Sequence, residues 1–226
     1  MRYQYLLVDN DNTLMDFDTA EHFALLDTLQ AFFLPDTPEV LETYHAINNA
    51  LWEGLERGEV TQAQLKLRRF EQLVDHFGWA EVEARALADT YPGHLACHAE
   101  LLPGATKLLQ ALHGRMKIAL VSNGVSDIQR GRLSRCPFTP LLDAVVISEE
   151  VGVSKPDPRM VDIALAQLGC EDKRQAVLLG DSLTADIAAA RSAGIDSIWF
   201  NPAHRPGDGA TYLVQSLDEA LALLLA

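Results

Sequence analysis

The sequence predicts an α/β protein with a doubly wound, mostly parallel sheet and an all-helical bundle inserted after its first strand. From residue 101 onward, short apolar runs alternate with amphipathic helical segments, which is typical of strands joined by helical crossovers. The runs are apolar throughout rather than alternating, as expected when helices cover both faces of the sheet. Residues 15–95, in contrast, show helical periodicity and no strand signal.

The first apolar run, at residues 3–8, predicts a buried strand that ends at Asp9. Helices are then expected in the insert, where proline at the first turn and a Thr-x-x-Gln capping box mark two of the starts. These helices are predicted at about residues 21–32, 38–51, 61–73 and 80–89. We expect hinges at residues 15–19 and 101–103, so the predicted domains are residues 1–14 with 96–226 for the sheet and residues 15–95 for the helical bundle.

The second half of the chain predicts four further strands, each preceded by a helix. The strands are expected at residues 117–121, 144–148, 176–180 and 195–200. The helices are expected at about residues 105–113, between the first two of these strands, and at about 158–168 and 184–193, with a last amphipathic helix at 217–226. Because the strands are joined by helices, right-handed crossovers and a parallel arrangement follow.

Composition narrows the classes of function. The chain has 226 residues, of which 48% are hydrophobic, enough for a packed core. Its net charge of −14 argues against a nucleic-acid partner, because such binding requires Lys and Arg to neutralise phosphates. Apolar runs are too short for a membrane span or a secretory signal, so we expect a cytoplasmic protein with no membrane partner. The three cysteines lack the paired spacing of a disulfide framework or a zinc site.

Polar residues follow the predicted strands where the strands end. Carboxylates at such positions are costly to desolvate, so they indicate a bound cation, a reaction centre or both. In an open α/β sheet, ligands bind beyond the carboxyl ends of the strands at the topological switch point. We therefore expect one crevice to collect the polar residues that follow the strands, which are Asp9, Asp11, Ser122, Asn123, Asp181 and the isolated Lys155 before a proline.

These residue types suit a metal and a phosphate. The carboxylates of Asp9, Asp181 and Asp186 are hard oxygen donors typical of a magnesium site, with an ordinary exposed helix residue as the alternative for Asp186. Ser122, the backbone N–H groups beside it and Lys155 supply donors for phosphate oxygens.

Asp9 and Asp11 suit two different steps of phosphate transfer. A carboxylate can attack phosphorus and form an aspartyl-phosphate intermediate. A second carboxyl group two residues later can protonate the leaving oxygen and then deprotonate the attacking water.

Four segments of the chain match, in order, the four motifs of the haloacid dehalogenase (HAD) superfamily of phosphohydrolases. They are residues 9–14 (DNDNTL), 122–124 (SNG), 155–156 (KP) and 180–186 (GDSLTAD). The resemblance implies a Rossmann-like core with a helical C1 cap between the first two motifs. It implies Asp9 as nucleophile, Asp11 as acid and base, and phosphate binding by the segment of Ser122 and Asn123 and by Lys155. It also implies Mg²⁺, with Mn²⁺ as a substitute, held by Asp9, the Asp11 carbonyl and Asp181, with Asp186 as a water-mediated ligand.

Within that superfamily, the chain resembles the pyrimidine nucleotide 5′-phosphatases of the YjjG type. The likeness rests on Leu51-Trp52 followed by Gly58, on the Arg69-Phe70 pair, and on residues 102–105 (LPGA) and 146–156 (VISEEVGVSKP). It implies hydrolysis of nucleoside monophosphates such as UMP, dUMP and dTMP by a monomer or a homodimer.

Other functions remain open at this stage. Phosphoglycolate or a sugar phosphate could be the substrate, and a bisphosphate mutase would use the same residues. Carbon–halogen hydrolysis is disfavoured because it needs neither magnesium nor a second acid such as Asp11. A regulatory or binding domain that keeps its aspartyl phosphate is disfavoured by Asp11 too, since an acid and base beside the nucleophile speeds hydrolysis.

The sequence assigns no functional role to two further groups of polar and aromatic residues. A core or solvated role is favoured for the insert residues that a base could contact, which are Tyr44, Asn48, Trp52, Arg68 and Arg69. The arginines at 130, 132 and 135 are expected on the solvated face of a helix.

Overall fold

The computed structural model describes residues 2–226 and confirms the predicted fold class. Among these residues, six strands form one sheet in the order β3-β2-β1-β4-β5-β6, and every neighbouring pair is parallel. The strands are β1 (Tyr5–Val8), β2 (Lys117–Ser122), β3 (Ala144–Ile147), β4 (Ala176–Gly180), β5 (Asp196–Phe200) and β6 (Tyr212–Val214).

The helices follow the order that the sequence predicts, except that residues 148–151 form a short helix where the end of a strand and a loop were expected. They are α1 (Phe17–Ala31), α2 (Pro38–Glu56), α3 (Gln62–Phe77), α4 (Ala84–Leu95), α5 (Ala105–Leu112), α6 (Ser126–Leu133), α7 (Ser148–Val151), α8 (Pro158–Leu168), α9 (Ala188–Ala193) and α10 (Leu217–Leu225). A π-helical segment, Leu183–Ile187, leads into α9. Within residues 2–226, no helix combines the length and apolar composition that a membrane crossing requires.

The strand order places the switch point of the sheet beside β1. The chain runs outward from β1 through β2 to β3 and then returns to the other side of β1 with β4. Val8 at the end of β1 pairs with both Leu120 and Leu179. The carboxyl ends of β1 and β4 therefore lie side by side, at the position where open α/β sheets bind ligands.

Both faces of the sheet are covered by helices. Leu6 and Val8 point into one apolar cluster that includes α5 and α10, whereas Leu7 points into the opposite cluster with α8 and α9. Because successive strand residues face opposite sides, a strand buried on both faces must be apolar at every position. This explains why the strands lack an alternating pattern.

Helices α1 to α4, which we call the helical insert, pack around a separate apolar cluster. At its centre the rings of Tyr44, Phe70 and Tyr91 lie with centroids 5.4 to 6.0 Å apart. Helix α3 begins with the predicted capping box of Thr61 and Gln64. Helix α4 begins at residue 84 and ends at residue 95, later than predicted, and it contains Pro92, which removes one backbone donor from the helix.

Two chain segments connect the insert to the sheet, and they run antiparallel next to each other. Leu102 N donates to Leu14 O at 2.9 Å, and Asp16 N donates to Glu100 O at 3.0 Å. Met15 and Leu101 form the bridge between these bonds. The two ends of the insert are therefore tied together beside the motif that follows β1.

Strand β6 was not predicted from the sequence. It has three residues, lies at the edge of the sheet and follows the irregular segment 201–211. A run of three residues is too short to show a strand period, so its place in the sheet depends on pairing with β5.

Candidate active site

One cavity of about 440 Å³ lies between the carboxyl ends of the strands and helices α1 to α3 of the insert. Its volume falls in the range of roughly 300–1,000 Å³ that is typical of small-molecule sites. All the site residues proposed from the sequence line it: Asp9, Asp11, Ser122, Asn123, Lys155, Asp181 and Asp186.

Lys155 is the buried cation at the base of this cavity, with 2% of its surface exposed. Its Nζ donates to Asp9 Oδ1 at 2.6 Å, to Asp186 Oδ1 at 2.7 Å and to Val121 O at 2.7 Å. Burial by itself would lower the pKa of Lys155, but Asp186 and Asp9 outweigh that effect and hold the pKa above its usual value. The lysine therefore stays charged and fixes two carboxylates at once.

Asn123 positions the backbone of that lysine. Its Nδ2 donates to Lys155 O at 2.8 Å, and its Oδ1 accepts from Lys155 N at 2.8 Å. The side-chain amide is thus engaged by protein, while Ser122, 1% exposed, accepts from Gly124 N at 3.0 Å. Phosphate binding by Ser122 and Asn123 stays a prediction.

Three carboxylates meet beside Lys155. Asp9, Asp181 and Asp186 each offer an oxygen, and these oxygens lie within 4.8 Å of one another. Burial, together with the charge of Asp186, raises the pKa of Asp181 to about 7, although Arg205 opposes this shift. Crowded carboxylates raise one another's pKa because their negative charges repel, and a divalent cation relieves that repulsion. This set of hard oxygen donors fits Mg²⁺.

Asp186 lies in the interior of the protein, so the alternative of an exposed helix residue was wrong. It is 1% exposed, and its Oδ2 accepts from Ser182 N at 3.0 Å. It approaches β4 so closely that a Cβ on Gly180 would lie 2.3 Å from its Cγ. Only glycine at position 180 leaves room for this carboxylate.

Asp11 is held by two side chains of α6. Gln129 Nε2 donates to Asp11 Oδ2 at 2.6 Å, and Arg132 Nη1 donates to Asp11 Oδ1. Asn10 Nδ2 donates in turn to Gln129 Oε1 at 2.5 Å. The carboxylate of Asp11 therefore has different hydrogen-bond partners from the carboxylate of Asp9, which contacts Lys155.

The prediction of a solvated arginine face was wrong for Arg132, which is fully buried. Its Nε donates to His98 O at 2.8 Å, just after the insert. Arg130 and Arg135 are exposed, as predicted. Gln129 and Arg132 are three residues apart and so share one helix face. This spacing, rather than the basic charge, was the feature of the sequence that could have identified them as partners of Asp11.

Asn12 turns the chain from the first motif into the insert. It has a φ of 57°, in the left-handed region that asparagine tolerates better than most residues. Its Oδ1 accepts from Phe17 N at 3.0 Å and its Nδ2 donates to Asp18 Oδ1 at 2.8 Å, at the start of α1. The loop that carries Asp11 is thereby tied to the insert.

The insert lines the side of the cavity opposite the sheet. Asn48, Trp52 and Arg69 line the cavity, and Asn48 and Arg69 are buried there, whereas Tyr44 is in the core and Arg68 is exposed, as predicted. Three contacts join α3 to the segments that follow β2 and β3: Gln62 Nε2 donates to Asn123 O and Ser148 Oγ at 3.0 Å each, and Lys66 pairs with Glu149 at 2.5 Å.

Three comparisons, with family models, curated proteins and solved structures, agree with one another. The model of the haloacid dehalogenase-like hydrolases matches residues 3–194. The chain is 38% identical over 205 residues to the pyrimidine 5′-nucleotidase PynA of Streptococcus pneumoniae, covering 90% of this chain and 86% of that protein. It is 36% identical over 232 residues to the pyrimidine 5′-nucleotidase YjjG of Escherichia coli, covering 99% of both. Among solved structures, YfnB of Bacillus subtilis, described as a HAD-hydrolase and bound to magnesium, matches with a TM-score of 0.94 at 30% identity over 100% of both chains.

Proposed function

Since the chain belongs to the haloacid dehalogenase-like hydrolase family, we propose that it is a magnesium-dependent phosphomonoesterase acting on pyrimidine nucleoside 5′-monophosphates. The observation that carries the proposal is a pair of aspartates in one cavity with different partners: Asp9 is bonded to Lys155, and Asp11 to Gln129 and Arg132. The two pyrimidine 5′-nucleotidases, which align with 90% and 99% of the chain, support the substrate class.

Asp9 acts as the nucleophile. One carboxylate oxygen attacks phosphorus, the ester P–O bond breaks, and an aspartyl phosphate forms while the leaving oxygen receives a proton from Asp11. Lys155 Nζ donates a hydrogen bond to Asp9 Oδ1, which limits the rotation of that carboxylate. The positive charge of Lys155 also attracts the negatively charged phosphoryl oxygens of the substrate to this position. Ser122, at the end of the neighbouring strand, binds a phosphoryl oxygen.

Asp11 then reverses its role. It accepts a proton from water as the water oxygen attacks phosphorus, and the bond between phosphorus and the Asp9 oxygen breaks. Free phosphate leaves and Asp9 is regenerated. Gln129 and Arg132 keep the carboxyl group oriented through both steps, because each donates to a different oxygen of Asp11.

The metal would be held by Asp9, Asp181 and the carbonyl of Asp11, with Asp186 as a water-mediated ligand. When bound, Mg²⁺ neutralises charge on the transferred phosphoryl group. We expect Mn²⁺ to substitute, since it also accepts carboxylate and water ligands. Residues 15–95 serve as the cap over the substrate, and residues 1–14 with 96–226 form the catalytic core.

The test is phosphate release in the presence of Mg²⁺ from UMP, dTMP, AMP, ribose 5-phosphate and phosphoglycolate. We expect UMP and dTMP to be the best substrates. Asp9→Asn should abolish turnover, and Asp11→Asn should slow it by about 10²–10⁴-fold, the usual contribution of a general acid and base. Asp162→Asn removes an exposed carboxylate and should leave the rate unchanged. Full activity of Asp9→Asn would refute the mechanism, and activity on phosphoglycolate alone would refute the substrate.

A further inference from the structure

Arg69 of α3 is a buried cation that few protein groups satisfy. It is 4% exposed, and its guanidinium carbon lies 4.4 Å from the centroid of the Tyr91 ring. Its hydrogen bond within the described part of the chain is a long one, 3.4 Å from Nη1 to Asn48 Oδ1, and the buried Nε has no partner there. Buried donors without partners are rare because they forgo the hydrogen bonds that water would give them. This guanidinium therefore has hydrogen-bonding capacity left for a ligand.

A neighbouring network fixes the orientation of Asn48. Glu21, 4% exposed, accepts from Asn48 Nδ2 at 2.6 Å through Oε1, and its Oε2 lies 2.8 Å from His45 Nδ1. The bond to Glu21 raises the pKa of His45, and the hydrogen bonds of the Glu21 carboxylate go to His45 and Asn48. Because Asn48 donates to Glu21 through its nitrogen, its oxygen is the atom beside Arg69.

These side chains line the cavity that contains Asp9. Asn48 and Trp52 are four residues apart on α2, and Leu65 and Arg69 are four apart on α3, so each pair shares a helix face. All four line the same cavity as the nucleophile. The insert thus presents a guanidinium, an amide oxygen, an indole and an aliphatic side chain to whatever is attached to the phosphate.

We propose that Arg69 and Asn48 recognise the imide edge of the base, a ring carbonyl next to a ring N–H, while Trp52 packs against the face of the base. The inference rests on the proposed function and deepens it by naming the residues that select uracil and thymine. A guanidinium only donates, which matches the carbonyl oxygen, and the amide oxygen of Asn48 has a second lone pair for the ring N–H. The indole offers a flat apolar surface for an aromatic ring.

An anionic group is the other ligand that an incompletely paired arginine could bind, for example the carboxylate of phosphoglycolate. The lining favours a ring, because Trp52 and Leu65 line the same cavity as Arg69, together with Phe17, Val125 and Ile128. Such apolar groups stabilise a base by burial, but they form no hydrogen bonds that would compensate a carboxylate for the loss of its hydration.

The proposal is tested by comparing kcat/KM for UMP with that for ribose 5-phosphate, which has the same kind of sugar phosphate and no base. Arg69→Met keeps much of the aliphatic stem and should lower kcat/KM for UMP by about 10- to 100-fold, the effect of losing hydrogen bonds to a charged group. Activity on ribose 5-phosphate should stay within about threefold. The wild-type enzyme should prefer UMP to CMP, which is of similar size but lacks the ring N–H, by about tenfold or more.

Arg68→Met is the matched control, because Arg68 is the preceding residue and is exposed, so both substrates should be unaffected. If Arg69→Met does not fold, Arg69→Lys makes the same test: it keeps the charge near Tyr91 but loses the planar set of donors. We expect it to lose about tenfold on UMP while ribose 5-phosphate is unaffected, with an unfolding temperature close to that of the wild type.

Four results would overturn the inference while the proposed function stands. The first is wild-type kcat/KM for UMP in Arg69→Met or Arg69→Lys. The second is an equal loss on UMP and ribose 5-phosphate, which indicates a structural role only. The third is a selective loss on phosphoglycolate, which assigns Arg69 to a carboxylate, and the fourth is equal activity of the wild type on UMP and CMP. A wild type inactive on every nucleoside monophosphate refutes the proposed function and, with it, this inference.

Discussion

Gly180→Ala probes the tightest contact of the site. A Cβ at position 180 would lie 2.3 Å from Cγ and 2.6 Å from Cβ of Asp186. Carbon atoms in ordinary contact are about 3.5–4.0 Å apart, so Asp186 must retreat by about 1 Å. Its carboxylate then loses the alignment of its bonds to Lys155, at 2.7 Å, and to Ser182, at 3.0 Å.

The magnitude follows from that displacement. Overpacking of this kind costs about 1–3 kcal/mol, and each kcal/mol lowers the unfolding temperature of a domain of this size by about 2–4 °C. We therefore expect a loss of about 2–12 °C. Because Lys155 bridges Asp186 and Asp9, the proposed nucleophile, the shift also reaches Asp9, and a misplacement of about 1 Å can cost about 10²-fold in rate.

The assay is kcat for UMP across a titration of Mg²⁺, together with thermal unfolding. Gly180→Ala should show a rate about 10²-fold lower and require more Mg²⁺ for half-maximal activity. Gly93→Ala is the control, since it lies in α4, and nothing stands within 4 Å of the added Cβ. The reasoning fails if Gly180→Ala retains the wild-type rate, Mg²⁺ dependence and unfolding temperature.

Two further substitutions test the buried cations. Lys155→Met leaves Asp9 and Asp186 without their shared donor, so we expect a loss of about 3–5 kcal/mol in the free energy of unfolding without metal, as for other broken buried pairs, and partial recovery when Mg²⁺ is added. Arg132→Met removes one of the two donors to Asp11, and kcat should fall by about 10- to 100-fold with little change in KM, since Asp11, the proposed acid and base, loses its orientation.

Exposed basic residues supply the controls for both substitutions. Lys117 pairs with Asp143 at the surface, and Lys117→Met should change stability by less than about 1 kcal/mol. Arg130 is exposed two residues before Arg132, and Arg130→Met should leave kcat unchanged. If Lys155→Met is as stable without metal as the wild type, or Arg132→Met as fast, the corresponding account of the buried cation is wrong.

The sheet side of the site could be predicted because its position follows from the order of the strands. Asp9 and Asp181 come directly after apolar runs, and the carboxyl ends of parallel strands lie at one edge. Lys155 was found by its isolation in a loop before a proline. In each case a local pattern in the chain determined where the residue would lie.

The residues that were missed lie on helices, where a second packing partner decides which face is buried. Arg132 and Arg130 have the same chemistry in the sequence, and their burial differs because α6 packs against α4 and against the loop of Asp11. Arg69 and Arg68 differ for the same reason, since the orientation of α3 depends on its contacts with α2 and α4. The spacing of apolar residues predicts a helix and its buried face. Arginine counts as polar in such a pattern, so an arginine that is in fact buried is predicted to be exposed.

The two segments that connect the insert to the sheet pair with each other at Leu14 and Leu102, and this pairing also affects how the chain folds. In β1, Tyr5 pairs with Lys117 and Ala176, so both strand partners of β1 are distant from it in sequence. Closing such long loops is entropically costly and slow. The helices of the insert make local contacts, and once they form, their paired ends bring β1 close to the rest of the sheet. Asp9 and Asp11 follow β1 directly, so activity cannot return during refolding before this strand has docked.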